Sequence, residues 1–232
     1  MATFRSIGHY AFRQIAAFVL VDIGLAMMAS GAYAGECTEG IAFYVQRLEH
    51  LSRQNPPDID FDVLSCLSCH PEDPSRWAGR IAAKRFAECR NSPFRNRIAA
   101  ACVVYLNNTT GGVSEVYAER AALLLAFYGF NKIGDYDIFQ ALTSGWRVSG
   151  YPPIEKLMAL AALQDRRTVT FLSEIYDTLQ TGEVARHGEY IAGILNCLYH
   201  IPGDDAVELA ERIYKETVDM HLRERAQRVI SR

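Results

Sequence analysis

The chain of 232 residues carries 24 lysines and arginines against 27 aspartates and glutamates, which gives a formal net charge of −3. A weakly acidic chain lacks the basic surface that neutralises a phosphate backbone, so we expect no nucleic-acid binding. A chain of this length can bury a core either as one extended domain or as two small ones.

The first 34 residues have the pattern of a secretory signal peptide. Arg5 and Arg13 make a positive start, residues 15–28 are largely apolar, and Ala-Tyr-Ala at 32–34 is a small-x-small cleavage site. Asp22 within the apolar run disfavours permanent membrane insertion. We therefore expect cleavage after residue 34, a periplasmic or secreted protein, and no stable membrane span. A mitochondrial presequence is the alternative interpretation.

Residues 35–110 form a predicted cysteine-rich helical region. Apolar residues recur there every three or four positions, and prolines separate the runs. This pattern predicts helices at 40–52, 61–69, 75–89 and 93–106. The polar stretch 107–112 is a predicted loop, which we take as the boundary to a second region at 113–232.

All six cysteines lie after the predicted cleavage site. Five of them crowd into residues 37–102, which is typical of an exported protein with structural disulfides. The disulfide candidates are Cys37, Cys66, Cys69, Cys89, Cys102 and Cys197. Cys66 and Cys69 lie one helical turn apart, so each can reach a cysteine on a neighbouring helix. We expect Cys37, Cys89 and Cys102 to be bridged.

Residues 66–70 read Cys-Leu-Ser-Cys-His and have a second interpretation, because C-x-x-C-H is the motif to which haem is attached in exported bacterial proteins. The motif resembles that of c-type cytochromes. The resemblance implies that Cys66 and Cys69 form thioether bonds and that His70 is the proximal iron ligand. It also implies a distal methionine or histidine, yet no methionine stands between Cys69 and Met158. The candidate distal ligands are His50, His187, His200 and His221.

A metal or redox site is the third interpretation of these cysteines. Cys66, Cys69, Cys89 and Cys102 would supply four thiolates, but the last two are 13 residues apart, whereas structural zinc sites usually show two close pairs. A thioredoxin-like C-x-x-C needs a βαβ setting, and no strand is evident in the sequence.

Residues 113–232 form a predicted succession of helices with short breaks at glycines and prolines. Helices are expected at 114–128, 135–143, 154–163, 168–179 and 189–199. The first is apolar nearly all round, which predicts a central, buried helix. No segment shows sustained strand alternation, so the predicted fold class is all-α.

The last 30 residues are a predicted α-hairpin of two amphipathic helices. Asp204 or Asp205 is the expected N-cap of the first helix. Glu208 and Arg212 stand four residues apart on its polar face and are an expected ion pair, as are Glu211 and Lys215.

Two helix ends, at 160–165 and 195–205, look like successive units about 35 residues apart. Together with the helices at 206–209 and 223–230 they resemble a HEAT-type α-solenoid over residues 114–230. The resemblance implies a helical-repeat body that recognises another protein through the concave face of the repeat. An irregular helical bundle is the alternative.

No hydrolase or metalloprotease motif occurs, so we expect a non-enzymatic protein without a cofactor. Aromatic side chains often dominate interface energy. Five aromatic residues stand near predicted helix ends and loops of the second region: Tyr136, Trp146, Tyr151, Tyr176 and Tyr190. We predict a partner-protein surface around Trp146 and Tyr151, with the 204–232 hairpin as a cap. The alternative function is a periplasmic c-type haem protein in electron transfer or redox sensing.

Overall fold

The computed structural model describes residue 37 and residues 39–68, 79–107, 112–182 and 186–232. Within these ranges the chain forms eleven α-helices and one antiparallel pair of two-residue strands, β1 (Lys132–Ile133) and β2 (Tyr136–Asp137). The all-α prediction is therefore confirmed. The signal peptide predicted at 1–34 lies outside the described residues.

Six helices precede the long 144–153 loop and five follow it. The helices are α1 (Ile41–Ser52), α2 (Phe61–Leu67), α3 (Gly79–Arg90), α4 (Arg95–Asn107), α5 (Gly112–Phe127), α6 (Ile138–Thr143), α7 (Ile154–Leu163), α8 (Arg167–Thr181), α9 (His187–Leu198), α10 (Asp204–Glu216) and α11 (Met220–Ile230).

Local side-chain chemistry explains several helix starts. The Asp60 carboxylate accepts hydrogen bonds from the first-turn N–H groups of α2, and the Asp219 carboxylate does the same for α11. The expected aspartate cap of α10 is wrong, because Gly203 is the N-cap residue and no side chain caps the helix. Asp204 and Asp205 lie in the first turn instead, where their charges interact favourably with the helix dipole.

Alternate helices of the second region pack side by side. Helix α5 packs on α7, α7 on α9, and α9 on α11, while α6, α8 and α10 lie between them in sequence. All residues of 121–128 and 157–163 are buried, so α5 and α7 are covered on every side over these turns. This confirms the expectation of a central, buried helix after residue 114.

The first region shares its core with the second. Helix α1 packs on α2 and α4, and α4 packs on α5, across the predicted boundary at 107–112. The Tyr128 hydroxyl donates to the carbonyl of Leu67 at 2.7 Å, which ties the end of α5 to the end of α2. Residues 38–232 accordingly form one compact unit.

An arginine from another helix closes the C-terminal end of α5. Arg95 donates from Nε to the carbonyl of Tyr128 at 2.7 Å and from Nη2 to that of Gly129 at 3.2 Å. Its guanidinium also lies over the Phe130 ring, 3.8 Å from the centroid. Gly129 has φ +72°, and a Cβ there would lie 2.8 Å from the Arg90 side chain, so a larger residue at this position would be strained.

The C-terminal ends of α7 and α9 are closed in the same way. Arg90 donates to the carbonyl of Ala162 and, at 3.0 Å, to the side-chain oxygen of Gln164. Arg232 donates to three carbonyls at and just beyond the end of α9. The Gln164 amide donates to the carbonyl of His200 at 3.2 Å, which joins the two helix ends. Each guanidinium satisfies carbonyls that have no partner within their own helix.

No helix within the described ranges combines the length and the apolar character that crossing a membrane requires.

Replacing Arg95 with Met tests this helix closure. Methionine keeps the apolar stem and has a similar helix propensity, but it cannot donate to the carbonyls of Tyr128 and Gly129. Because these hydrogen bonds are charge-assisted, we expect the free energy of unfolding to fall by about 1.5–3 kcal/mol in chemical denaturation.

The matched control is Arg85→Met, since the Arg85 side chain is 41% exposed and its one ion partner among the described residues is Glu88 on its own helix, at 3.0 Å. Such pairs contribute about 0.2–0.5 kcal/mol. Equal losses in the two variants would contradict the role assigned to Arg95.

Candidate functional site

The cysteines divide into bonded and free. A disulfide joins Cys37 to Cys66, and Cys89 is also disulfide-bonded. Cys102 and Cys197 are free and buried, so the prediction that Cys102 is bridged is wrong, and so is the candidacy of Cys197. Both thiols pack as small apolar groups in the core formed by α4 and α9 with their neighbours.

Burial also makes the two free thiols unreactive. It raises the pKa of Cys102 to about 12 and raises the pKa of Cys197 above its ordinary value. A thiolate is the reactive form of cysteine, so burial disfavours a nucleophilic role for either group.

The C-x-x-C-H segment is described only in part, because Cys69 and His70 lie outside the described residues. The sulfur of Cys66 is engaged in the disulfide with Cys37. A thioether bond to haem needs that same sulfur. The four-thiolate hypothesis requires Cys66, Cys89 and Cys102 as ligands, but the first two are oxidised and the third is a buried thiol. Among the described residues, no three His, Cys, Asp or Glu side chains are grouped as a metal site.

The four histidines proposed as distal ligands have different surroundings. His50 and His221 are exposed, and His187 lies 3.4 Å from the Gln180 amide. His200 packs edge-on against Phe86, and burial together with the charge of Arg232 lowers its pKa to about 4.

Trp146 lies in the 144–153 loop and is half-buried. Its indole packs edge-on against Phe171 with centroids 5.2 Å apart, and Phe171 packs in the same way against Phe139 at 6.1 Å. The Nε1 donor of Trp146 is buried, and no described residue accepts from it. The Nζ atom of Lys156 lies 5.9 Å from the indole centroid. Three aromatic rings thus form a continuous, partly exposed row on α6, the loop and α8.

Tyr151 lies near the end of the same loop and is 67% exposed. The guanidinium of Arg186 stacks 3.4 Å from its ring centroid and donates to its hydroxyl. The hydroxyl of buried Tyr190, on α9, donates to the loop carbonyls of Ser149 (3.2 Å) and Tyr151 (3.3 Å). The loop backbone is therefore anchored to α9 while the Tyr151 ring faces solvent.

The charges beside the aromatic row are paired. Arg167 lies 4.5 Å over the Phe139 ring and forms ion pairs with Asp137 (2.5 Å) and Asp165 (2.6 Å). Hydrogen bonds from Arg167 hold the pKa of each carboxyl below its ordinary value, and the two carboxylates raise the pKa of Arg167. Lys156 pairs with Glu119 at 3.1 Å. Arg167 and Lys156, the two cations that contact the row, are thus each paired with a carboxylate.

The sequence located part of this surface. Trp146 and Tyr151 were expected in it, whereas Tyr176 and Tyr190 are core residues with 0% and 1% exposure. Tyr136 is half-buried and its hydroxyl bonds to Asn107 at 2.5 Å. Phe139 and Phe171 were missed. Both stand at the helical spacing that core residues also have, so the sequence does not show that they are partly exposed rather than buried.

No protein-family model, curated protein or solved structure matches this chain.

The cysteine assignment can be checked by differential alkylation and peptide mapping. In the unreduced protein, we expect the alkylating reagent to modify Cys102 and Cys197 only after denaturation, because both thiols are buried in the native state. Cys37, Cys66 and Cys89 should react only after reduction. Alkylation of Cys66 in unreduced, denatured protein would show that its disulfide does not form.

Proposed function

We propose that the protein is exported and acts as a non-enzymatic interaction module, whose helical-repeat body binds another protein through the surface around Trp146 and Tyr151. The observation that carries the proposal is the Tyr151 ring, which is 67% exposed on a loop anchored by Tyr190. An exposed aromatic ring held in one orientation loses little conformational freedom on binding, and this favours affinity.

The packing order supports a repeat body. Helices α5, α7 and α9 end at Phe127, Leu163 and Leu198, about 35 residues apart, within the period range of helical solenoids. Each packs on the next, and each ends in carbonyls capped by an arginine. Helix ends at this regular spacing are what the HEAT-type resemblance implies for residues 114–230.

The disulfide supports export, because disulfides persist mainly in oxidising compartments. It also favours a structural role for Cys66 over haem attachment, since the motif needs both of its cysteine sulfurs as thioethers. The periplasm or the extracellular space is the proposed location.

An absorption spectrum separates the proposed module from the haem alternative. When the protein is made in a host that matures c-type haem, we expect no Soret band to survive acid-acetone extraction. The Cys66 sulfur is bonded to Cys37 and therefore cannot form a thioether with haem. A surviving Soret band would select a c-type haem protein with Cys66, Cys69 and His70 as its attachment site.

Replacing Tyr151 with Ser tests the binding surface. The exposed ring contributes little to stability, so we expect the melting temperature to change little and partner binding to weaken about tenfold or more. The measurement is cross-linking capture from the exported fraction of the source cells, followed by titration of the captured protein.

The matched control is Tyr214→Ser. Tyr214 is also an exposed tyrosine beside an arginine, with Arg223 5.5 Å from its ring, but it lies on α10. We expect this variant to bind normally. Trp146→Ala is a poorer test, because loss of the contact with Phe171 should also lower stability. Unchanged binding by Tyr151→Ser would contradict the proposed surface.

A further inference from the structure

A cleft of about 320 Å³ lies where the start of α3, the last turn of α9 and α11 meet. Arg80 lines it from α3, Arg225 and Arg228 line it from α11, and Asn196 and Tyr199 form its wall on α9. The volume falls at the lower end of the roughly 300–1,000 Å³ of small-molecule sites. None of the residues of the proposed protein-binding surface lines this cleft.

The positive charge in the cleft has no counterpart among the described residues. Arg225 donates to the neutral side-chain oxygen of Asn196 at 3.0 Å. Arg80 and Arg228 make no ion pair or side-chain hydrogen bond with a described residue. Glu224 precedes Arg225 but lines the neighbouring groove beside Tyr214, which Arg228 also borders. Three arginines thus line one cleft, and no described carboxylate lines it.

Two arginines elsewhere in the fold are paired with carboxylates. Arg97 forms a bidentate ion pair with Glu49, in which Nε and Nη2 each donate to a carboxylate oxygen at 2.8 Å. Arg120 forms an ion pair with Glu155 at 2.5 Å. The whole chain is net acidic, with a charge of −3. Like charges gathered in one place repel one another, so three arginines without a carboxylate partner among the described residues favour an anion in the space between them.

The remaining wall is neutral and apolar. His200 is uncharged at neutral pH because its pKa is lowered to about 4. Arg232 lies nearby, but it is committed to the carbonyls at the end of α9. The backbone of Gly79 sits against the Tyr199 ring, where a Cβ would lie 2.4 Å from Cε1. The cleft therefore offers a cationic side and an aromatic side to one ligand.

We propose that this cleft binds the phosphate group of a small molecule. Arginine forks bind phosphate and carboxylate through paired hydrogen bonds. A carboxylate has only two oxygens and one charge, whereas a phosphate monoester has three terminal oxygens and nearly two charges. Three guanidinium groups on two helices suit the phosphate better.

Isothermal titration of the full chain with inorganic phosphate at low ionic strength tests the proposal, with acetate as the carboxylate comparison. We expect saturable phosphate binding that is stronger than acetate binding. The double variant Arg80→Gln, Arg228→Gln should weaken phosphate binding at least about tenfold, because it removes two of the three positive charges that line the cleft.

The matched control is Arg223→Gln. Arg223 lies on α11 and donates to the carbonyl of Thr217, but it does not line the cleft. This variant should bind phosphate as the unaltered chain does. Phenyl phosphate provides a second probe: tighter binding than inorganic phosphate identifies an organic phosphate that uses the Tyr199 ring, and equal binding identifies free phosphate.

Absence of saturable binding up to about 10 mM phosphate, close to the weakest affinities of specific sites, would overturn the proposal. So would equal phosphate binding by the double variant and the unaltered chain, or an equal loss in Arg223→Gln. A melting curve of each variant verifies that it is folded, since these exposed side chains should contribute little to stability.

Discussion

The fold depends on the capping of carbonyl groups at the ends of its buried helices. Helices α5, α7 and α9 run through the core, so the carbonyls at their C-terminal ends have limited access to water. A buried carbonyl without a donor costs about 1–3 kcal/mol. Arg95, Arg90 and Arg232 supply the donors, and their charges lie at the negative end of each helix dipole. Residues far apart in the sequence thereby fix the positions of three central helices.

The same packing places two different surfaces at opposite ends of these helices. The 144–153 loop precedes α7 and is held by Tyr190 in the first turns of α9, so Tyr151 faces solvent at the amino ends. The arginine-lined cleft lies at the carboxyl end of α9, next to the carbonyls that Arg232 caps. One end is aromatic with neutralised charges, and the other is cationic. The two surfaces that we propose as binding sites, one for a protein and one for a small anion, therefore lie apart from each other.

The sequence predicted only part of the bonding state of the cysteines. Their number and crowding predicted bridges at Cys37, Cys89 and Cys102, of which the first two are confirmed, and left Cys66 open between a disulfide and haem attachment. An even count of six could not show that Cys102 and Cys197 are free. Each lies on an apolar helix face, and only the packing of that face decides whether a second sulfur is within reach or whether the thiol simply fills the core.

By itself, the sequence determined the all-α class, nearly all the helices and the buried character of α5. It also placed Trp146 and Tyr151 in a loop. All of these features follow from local periodicity and turn residues. It did not determine that Arg212 pairs with Asp177 of α8 at 2.6 Å rather than with its own-helix neighbour Glu208. Nor did it show the convergence of Arg80, Arg225 and Arg228. Only the tertiary structure decided these contacts, because a long charged side chain can reach many partners and helix packing chooses among them.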